Sequence, residues 1–120
     1  MKKILIVDDE PNIVMTLEYT FKKSNYEVFI ARDGQEALDI LKTNFPDVII
    51  LDIMMPMVDG FATLEQIRKD ANLHHTKVMF LSAKNKESDV EKGLALGADA
   101  YMTKPFSIKK VVEKVEELLS

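Results

Sequence analysis

Four short apolar runs in this 120-residue chain each end on a residue able to do chemistry. Ile4–Val7 leads into Asp8-Asp9-Glu10, Val48–Leu51 into Asp52, Val78–Leu81 into Ser82, and Ala100–Met102 lies just ahead of Lys104. Neighbouring strands lie about 4.8 Å apart, so if these runs pair in one sheet the acids share one small site and repel one another. A hard divalent cation bound through oxygen favours their ionised forms, and Mg²⁺ is the ion expected, because it needs few protein ligands and bridges carboxylates to phosphate oxygens. Ser82 offers a hydroxyl donor and Lys104 a mobile ammonium, both suited to an anion carried on Asp52.

The elements that must position these groups follow from punctuation and periodicity. Val48-Ile49-Ile50-Leu51 is β-branched and unbroken, the pattern of a strand covered on both faces, and Pro56 and Gly60 mark an irregular loop after it. Pro11 opens a helix with Ile13, Val14, Leu17 and Phe21 on one face, ending at Ser24-Asn25, and Tyr26–Ile30 reads as the second strand. Asp33 with Glu36 reads as a capped helix start, its buried stripe Ala37, Leu38 and Leu41, ending near Asn44 before Pro46 turns the chain into the central strand.

Phe61, Leu64 and Ile67 mark a third helix, and Asn72–Thr76 a polar connection. Val90, Gly93, Leu94 and Gly97 suggest a short helix closed by glycine. Ser107 caps a last helix with Ile108, Val111, Val112, Val115, Leu118 and Leu119 on its apolar side. Five strands alternating with five helices predict a single α/β, doubly wound (βα)5 domain, flavodoxin-like, with a parallel five-stranded sheet of order 2-1-3-4-5. In that order the topology reverses between strands one and three, and ligands gather beyond their carboxyl ends, where Asp8, Asp9 and Asp52 arrive.

Composition narrows the function classes. One domain's worth of chain with 16 basic and 20 acidic residues, net charge −4, carries no broad footprint for nucleic acid. The absence of cysteine excludes a disulfide framework or a thiolate metal site and fits a cytoplasmic location. No apolar run approaches the roughly 20 residues of a membrane helix, and the amino-terminal run is too short for a signal peptide. His74 and His75 lie in a connection with no ligating neighbours and read as solvated, and the seven methionines read as packing residues.

With these residues in view, the chain resembles the receiver domains of two-component response regulators, chemotaxis regulators included, over residues 1–120. The resemblance rests on VDDE at Val7–Glu10, LDIMMPMVDG at Leu51–Gly60, LSA at Leu81–Ala83 and KPF at Lys104–Phe106, in the family's order. It implies a signalling module that catalyses its own phosphorylation and dephosphorylation, with Asp52 as phospho-acceptor from a sensor histidine kinase or phosphotransfer protein. It implies Mg²⁺ held directly by Asp9, Asp52 and the backbone carbonyl of Met54, and by Asp8 through water, with Ser82 and Lys104 contacting the phosphoryl group. It further implies a cis Lys104–Pro105 bond and a switch in which Tyr101 turns inward as Ser82 moves. The downstream target or output domain stays unidentified, a phosphorylation-dependent dimer is allowed, and neither nucleic acid nor membrane is expected to bind this domain.

Met54 offers no polar side chain and Lys84 could reach phosphoryl oxygens, so both stand where they could shield the phosphoryl group from water. Gly93–Phe106 also resembles receivers attached to DNA-binding domains. Two other functions compete. A Mg²⁺-dependent phosphohydrolase with an aspartyl nucleophile, of the haloacid-dehalogenase kind, places a DxDxT-like motif after its first strand, where this chain has Asp8-Asp9-Glu10-Pro11. A receiver-like scaffold that takes no phosphate would have no need of Asp9, Asp52, Ser82 and Lys104 together.

Overall fold

A computed structural model describes residues 1–120. In chain order the elements are β1 (Lys3–Val7), α1 (Pro11–Lys23), β2 (Glu27–Ala31), α2 (Gly34–Ile40), β3 (Val48–Leu51), α3 (Gly60–Lys69), β4 (Lys77–Ser82), α4 (Glu87–Ala95), β5 (Ala100–Thr103) and α5 (Ile108–Leu119). The strands form one parallel sheet in the order β2-β1-β3-β4-β5, the predicted doubly wound topology.

Each central strand is apolar on both faces because helices cover both. On one face Leu5, Val7, Ile49, Leu51, Val78 and Phe80 pack with Leu64 and Ile67 of α3 and Ala37 of α2. On the other, Ile4, Ile6, Val48, Ile50, Met79 and Leu81 pack with Leu17 and Phe21 of α1 and Val111 and Val115 of α5. Alternate residues of the same strand therefore serve different cores, which is why the runs read as continuously hydrophobic rather than alternating.

Most strand boundaries shift by one residue from the sequence reading, and three departures have a local reason. α2 stops at Ile40 rather than near Asn44, because the amides of Lys42 and Thr43 donate to carbonyls three residues back, those of Asp39 and Ile40, and tighten the chain into a turn in which the Ile40 carbonyl also accepts from the Asn44 backbone and side-chain amides. β2 begins at Glu27 rather than Tyr26, whose amide donates back to the Phe21 carbonyl while its ring packs edge-on against Phe21. The Asn72–Thr76 connection is less polar than expected: a 3₁₀ turn over Ala71–Leu73 buries Leu73, and the Thr76 hydroxyl, also buried, donates to the Pro46 carbonyl at 2.9 Å.

The expected caps form. Asp33 accepts from the Glu36 amide at 2.8 Å while Glu36 accepts from the Arg32 amide at 3.0 Å, and Ser107 accepts from the Lys110 amide. At the far pole of the sheet Arg68 donates to the carbonyls of Gly97 and Thr76 and to Asp99, joining the end of α3 to the turn before β5, where Gly97 takes a left-handed φ of 108°.

α3 starts where its first residue touches the loop that carries Asp52. A Cβ at Gly60 would overlap the Asp52 carbonyl and the Ile53 Cα, so only glycine lets the helix approach this closely. Gly60→Ala should therefore destabilise the domain by about 1–3 kcal/mol through forced displacement of this backbone. Urea unfolding checks this; a variant as stable as the wild type would show that the helix start can yield freely.

Candidate functional site

Register places the acids. Val7 of β1 pairs with Leu51 of β3, so the next residues, Asp8 and Asp52, leave the sheet side by side. Both are still tied to it by their amides, Asp52 donating to the Val7 carbonyl at 2.9 Å and Asp8 to the Ala31 carbonyl at 3.1 Å. On the other side Ser82 pairs with Thr103, and the Lys104 amide donates to the Ser82 carbonyl at 2.9 Å, which sets the lysine at the same end of the sheet.

The ammonium of Lys104 gathers the cluster. It donates to Asp8 Oδ2 at 2.9 Å, to Glu10 Oε1 at 2.9 Å and to Asp52 Oδ2 at 3.2 Å. Burial alone would lower the pKa of this ammonium; hydrogen bonds to Asp8 and Glu10, with the charges of Asp52 and Asp8, outweigh burial and hold it above the ordinary lysine value. Asp8 shifts upward, above the usual 3.8, because burial dominates and the Glu10 amide and Lys104 only partly oppose it. A buried carboxylate whose ionised form remains under-compensated beside its own lysine is a place where further positive charge is favoured.

Carboxylate oxygens of Asp8, Glu10 and Asp52 lie within 4.8 Å of one another. Their donor set is oxygen alone, the preference of a hard divalent cation, and three carboxylates against one ammonium leave two negative charges, the complement of one such ion. The residues present thus fit Mg²⁺.

The remaining expected residues are placed as follows. Asp9 is exposed and does not join the mutually close carboxylates, whereas Glu10 does. Met54 lies beside Asp52, its amide donating to Asp52 Oδ1 at 3.3 Å, and its side chain is exposed. Ser82 is fully buried, its hydroxyl oxygen accepting from the Lys84 amide at 3.3 Å. Tyr101 is half-buried against Phe80, and its hydroxyl donates to the Lys84 carbonyl at 2.6 Å, so serine and tyrosine meet on the same short segment. The Lys104–Pro105 bond is cis. His74 and His75 are exposed.

Glu10 was missed as a site residue. Its only signal was adjacency to Asp8-Asp9, and that alone does not say which of three consecutive acids turns inward; the turn into α1, which the Glu10 amide makes by donating to Asp8 Oδ1 at 2.9 Å, decides it.

Comparison with known proteins places this geometry in context. The family model for "Response regulator receiver domain" matches residues 4–116. The chain is 46% identical over 118 residues to the alkaline phosphatase synthesis transcriptional regulatory protein PhoP of Bacillus subtilis, covering 98% of this chain and 48% of that one, so it spans about half the length of this relative. Among solved structures, the receiver domain of a Francisella response regulator superposes with a TM-score of 0.91 at 38% identity, covering 99% of this chain and 97% of that one. The chemotaxis response regulator CheY4 of Vibrio cholerae does so with a TM-score of 0.93 at 31% identity, covering 99% of each chain. The receiver domain of a histidine kinase from Syntrophus aciditrophicus gives 0.91 at 32% identity, covering 99% of this chain and 90% of that one.

Proposed function

The chain belongs to the receiver domains of two-component response regulators, modules of phosphorylation signalling, and from that membership we propose that Asp52 is its phospho-acceptor. One observation carries the proposal: Asp52 is buried at the mouth of the sheet with its carboxylate on the Lys104 ammonium and beside Asp8. Phosphoryl transfer needs an aligned nucleophile and positive charge where the phosphoryl oxygens will lie.

In this reading an Asp52 oxygen forms a bond to phosphorus while the bond to the donor's leaving group breaks on the opposite side. Lys104 neutralises charge on one phosphoryl oxygen and the Ser82 hydroxyl donates to another. Asp9, Asp52 and the Met54 carbonyl would hold Mg²⁺ directly and Asp8 through water, at the mouth of the sheet where the Asp8 and Asp52 carboxylates meet. The ion, when bound, neutralises phosphoryl and carboxylate oxygens together. The donor is a sensor histidine kinase or phosphotransfer protein, the product drives a downstream target or output domain, and the site of action is the cytoplasm. No helix of the protein is long and apolar enough to cross a membrane.

The phosphohydrolase alternative is not favoured, since the whole length of the fold matches receivers. A signal leaves the site through the segment that Ser82 and Tyr101 share. Phosphorylation favours conformers in which Ser82 and Lys104 reach the added charge, and any displacement of Ser82 shifts Lys84, whose carbonyl holds Tyr101.

Asp52→Asn keeps the volume and removes the nucleophile, so it should abolish Mg²⁺-dependent labelling by acetyl phosphate while leaving the fold intact, and Asp9→Ala should weaken Mg²⁺ binding. Mass spectrometry that located the phosphoryl group on another residue of the wild type would contradict the assignment. Amide NMR on adding beryllofluoride, a phosphoryl mimic, should perturb Ser82–Lys84 and Tyr101 as well as the acidic pocket; changes confined to the pocket would remove the switch.

A further inference from the structure

A lysine ammonium has three N–H donors and no acceptor. In this protein all are engaged, by Asp8 at 2.9 Å, Glu10 at 2.9 Å and Asp52 at 3.2 Å. A phosphoryl oxygen arriving at Asp52 can bond Lys104 only when one of the three lets go. The partners are unequal. The side chain of Asp8 is 4% exposed, and a buried carboxylate that loses its cation is costly, while Asp52, equally buried, gives up its negative charge to the acyl phosphate yet keeps an oxygen beside the ammonium. The side chain of Glu10 is 58% exposed and returns to water at little cost. Glu10 stands at the N-cap position of α1 but makes no capping bond with its side chain, so Lys104 is the partner that holds its carboxylate inward.

We infer that Glu10 is a displaceable placeholder: it occupies on Lys104 the position a phosphoryl oxygen takes, and swings out when Asp52 is modified. The inference rests on Asp52 being the acceptor. Glu10 is then a positioning residue acting through Lys104. Before the reaction it helps fix the ammonium above Asp52. During the reaction it makes phosphoryl entry an exchange of one anionic oxygen for another rather than the gain of a wholly new contact. Its place on the rim supports this. Glu10, Ile13, Ala83, Lys104, Pro105 and Phe106 line an open groove of about 500 Å³, so the released carboxylate has solvent to move into.

The test compares wild type, Glu10→Gln and Glu10→Asp in two titrations followed by amide NMR, which also reports that each variant is folded: Mg²⁺ alone, and beryllofluoride at saturating Mg²⁺. Glutamine removes the charge; aspartate keeps it but is one methylene too short for the present contact. Both variants should bind beryllofluoride about two- to fivefold more tightly than wild type, the scale of a half-exposed ion pair, with Mg²⁺ affinity much less changed. Tightening in the glutamine variant alone would mean that the charge and not the contact matters, and would overturn the inference. So would Mg²⁺ affinity falling severalfold without any gain for beryllofluoride, which would make Glu10 a metal ligand. Wild type that takes beryllofluoride with the same affinity as both variants overturns the placeholder and leaves Asp52 as acceptor intact, whereas wild type that fails to take it in Mg²⁺ overturns both.

Discussion

The site is built on one ammonium held among three carboxylates at the mouth of a parallel sheet. Parallel pairing brings the ends of β1 and β3 together in register, and the first residues beyond them are both acidic and both buried. Left alone, Asp8 and Asp52 would repel each other in a poorly solvated place. Lys104 offsets that repulsion, yet the upward shift of Asp8 shows that the compensation is incomplete. An arrangement tuned for stability alone would have replaced one of these acids with a neutral side chain. Keeping the residual negative charge leaves a site that favours a divalent cation and, with it, a phosphoryl group.

The two packed faces of the sheet supply rigidity to this arrangement. β1 and β3 are almost wholly buried, and α3 is drawn by Gly60 against the backbone of Asp52 itself. The freer parts are at the rim. Glu10 and the Met54 side chain are exposed, while Ser82, buried at the end of β4, and Tyr101 of β5 both bond the loop that follows β4. Asp52, the proposed acceptor, is thus held rigidly while the rim side chains of Glu10 and Met54 have room to move, a division suited to a signalling module.

Much of this was legible in the sequence. The β-branched run before Asp52, the proline at the start of α1 and the Asp33–Glu36 cap each encode local structure through few and strong constraints, and the elements they imply allow few topologies. Asp8, Asp52 and Lys104 could be assembled because strand ends fix position even before side chains are known. What escaped depends on directions beyond the strand. Nothing in Asp8-Asp9-Glu10 says that the second acid faces solvent and the third faces Lys104, because the chain is turning into α1 there. The early end of α2 escaped because it lies in a change from four-residue to three-residue backbone hydrogen bonds at Lys42 and Thr43, residue types that carry no stop signal.

The central claim is that Lys104 stabilises the fold by compensating carboxylates rather than by packing. Folding stability of wild type and Lys104→Met, measured by urea unfolding between about pH 4 and pH 8, tests it most directly. Without the ammonium Asp8, whose pKa burial already raises, holds its proton more readily in the folded than in the unfolded chain, so the variant loses stability as pH rises from the ordinary carboxylate range through that raised pKa. The account predicts a deficit that is small at acid pH, grows toward neutrality and shrinks when Mg²⁺ is added. A deficit of constant size across that range, indifferent to Mg²⁺, would show that Lys104 acts as a packing residue and would contradict the account.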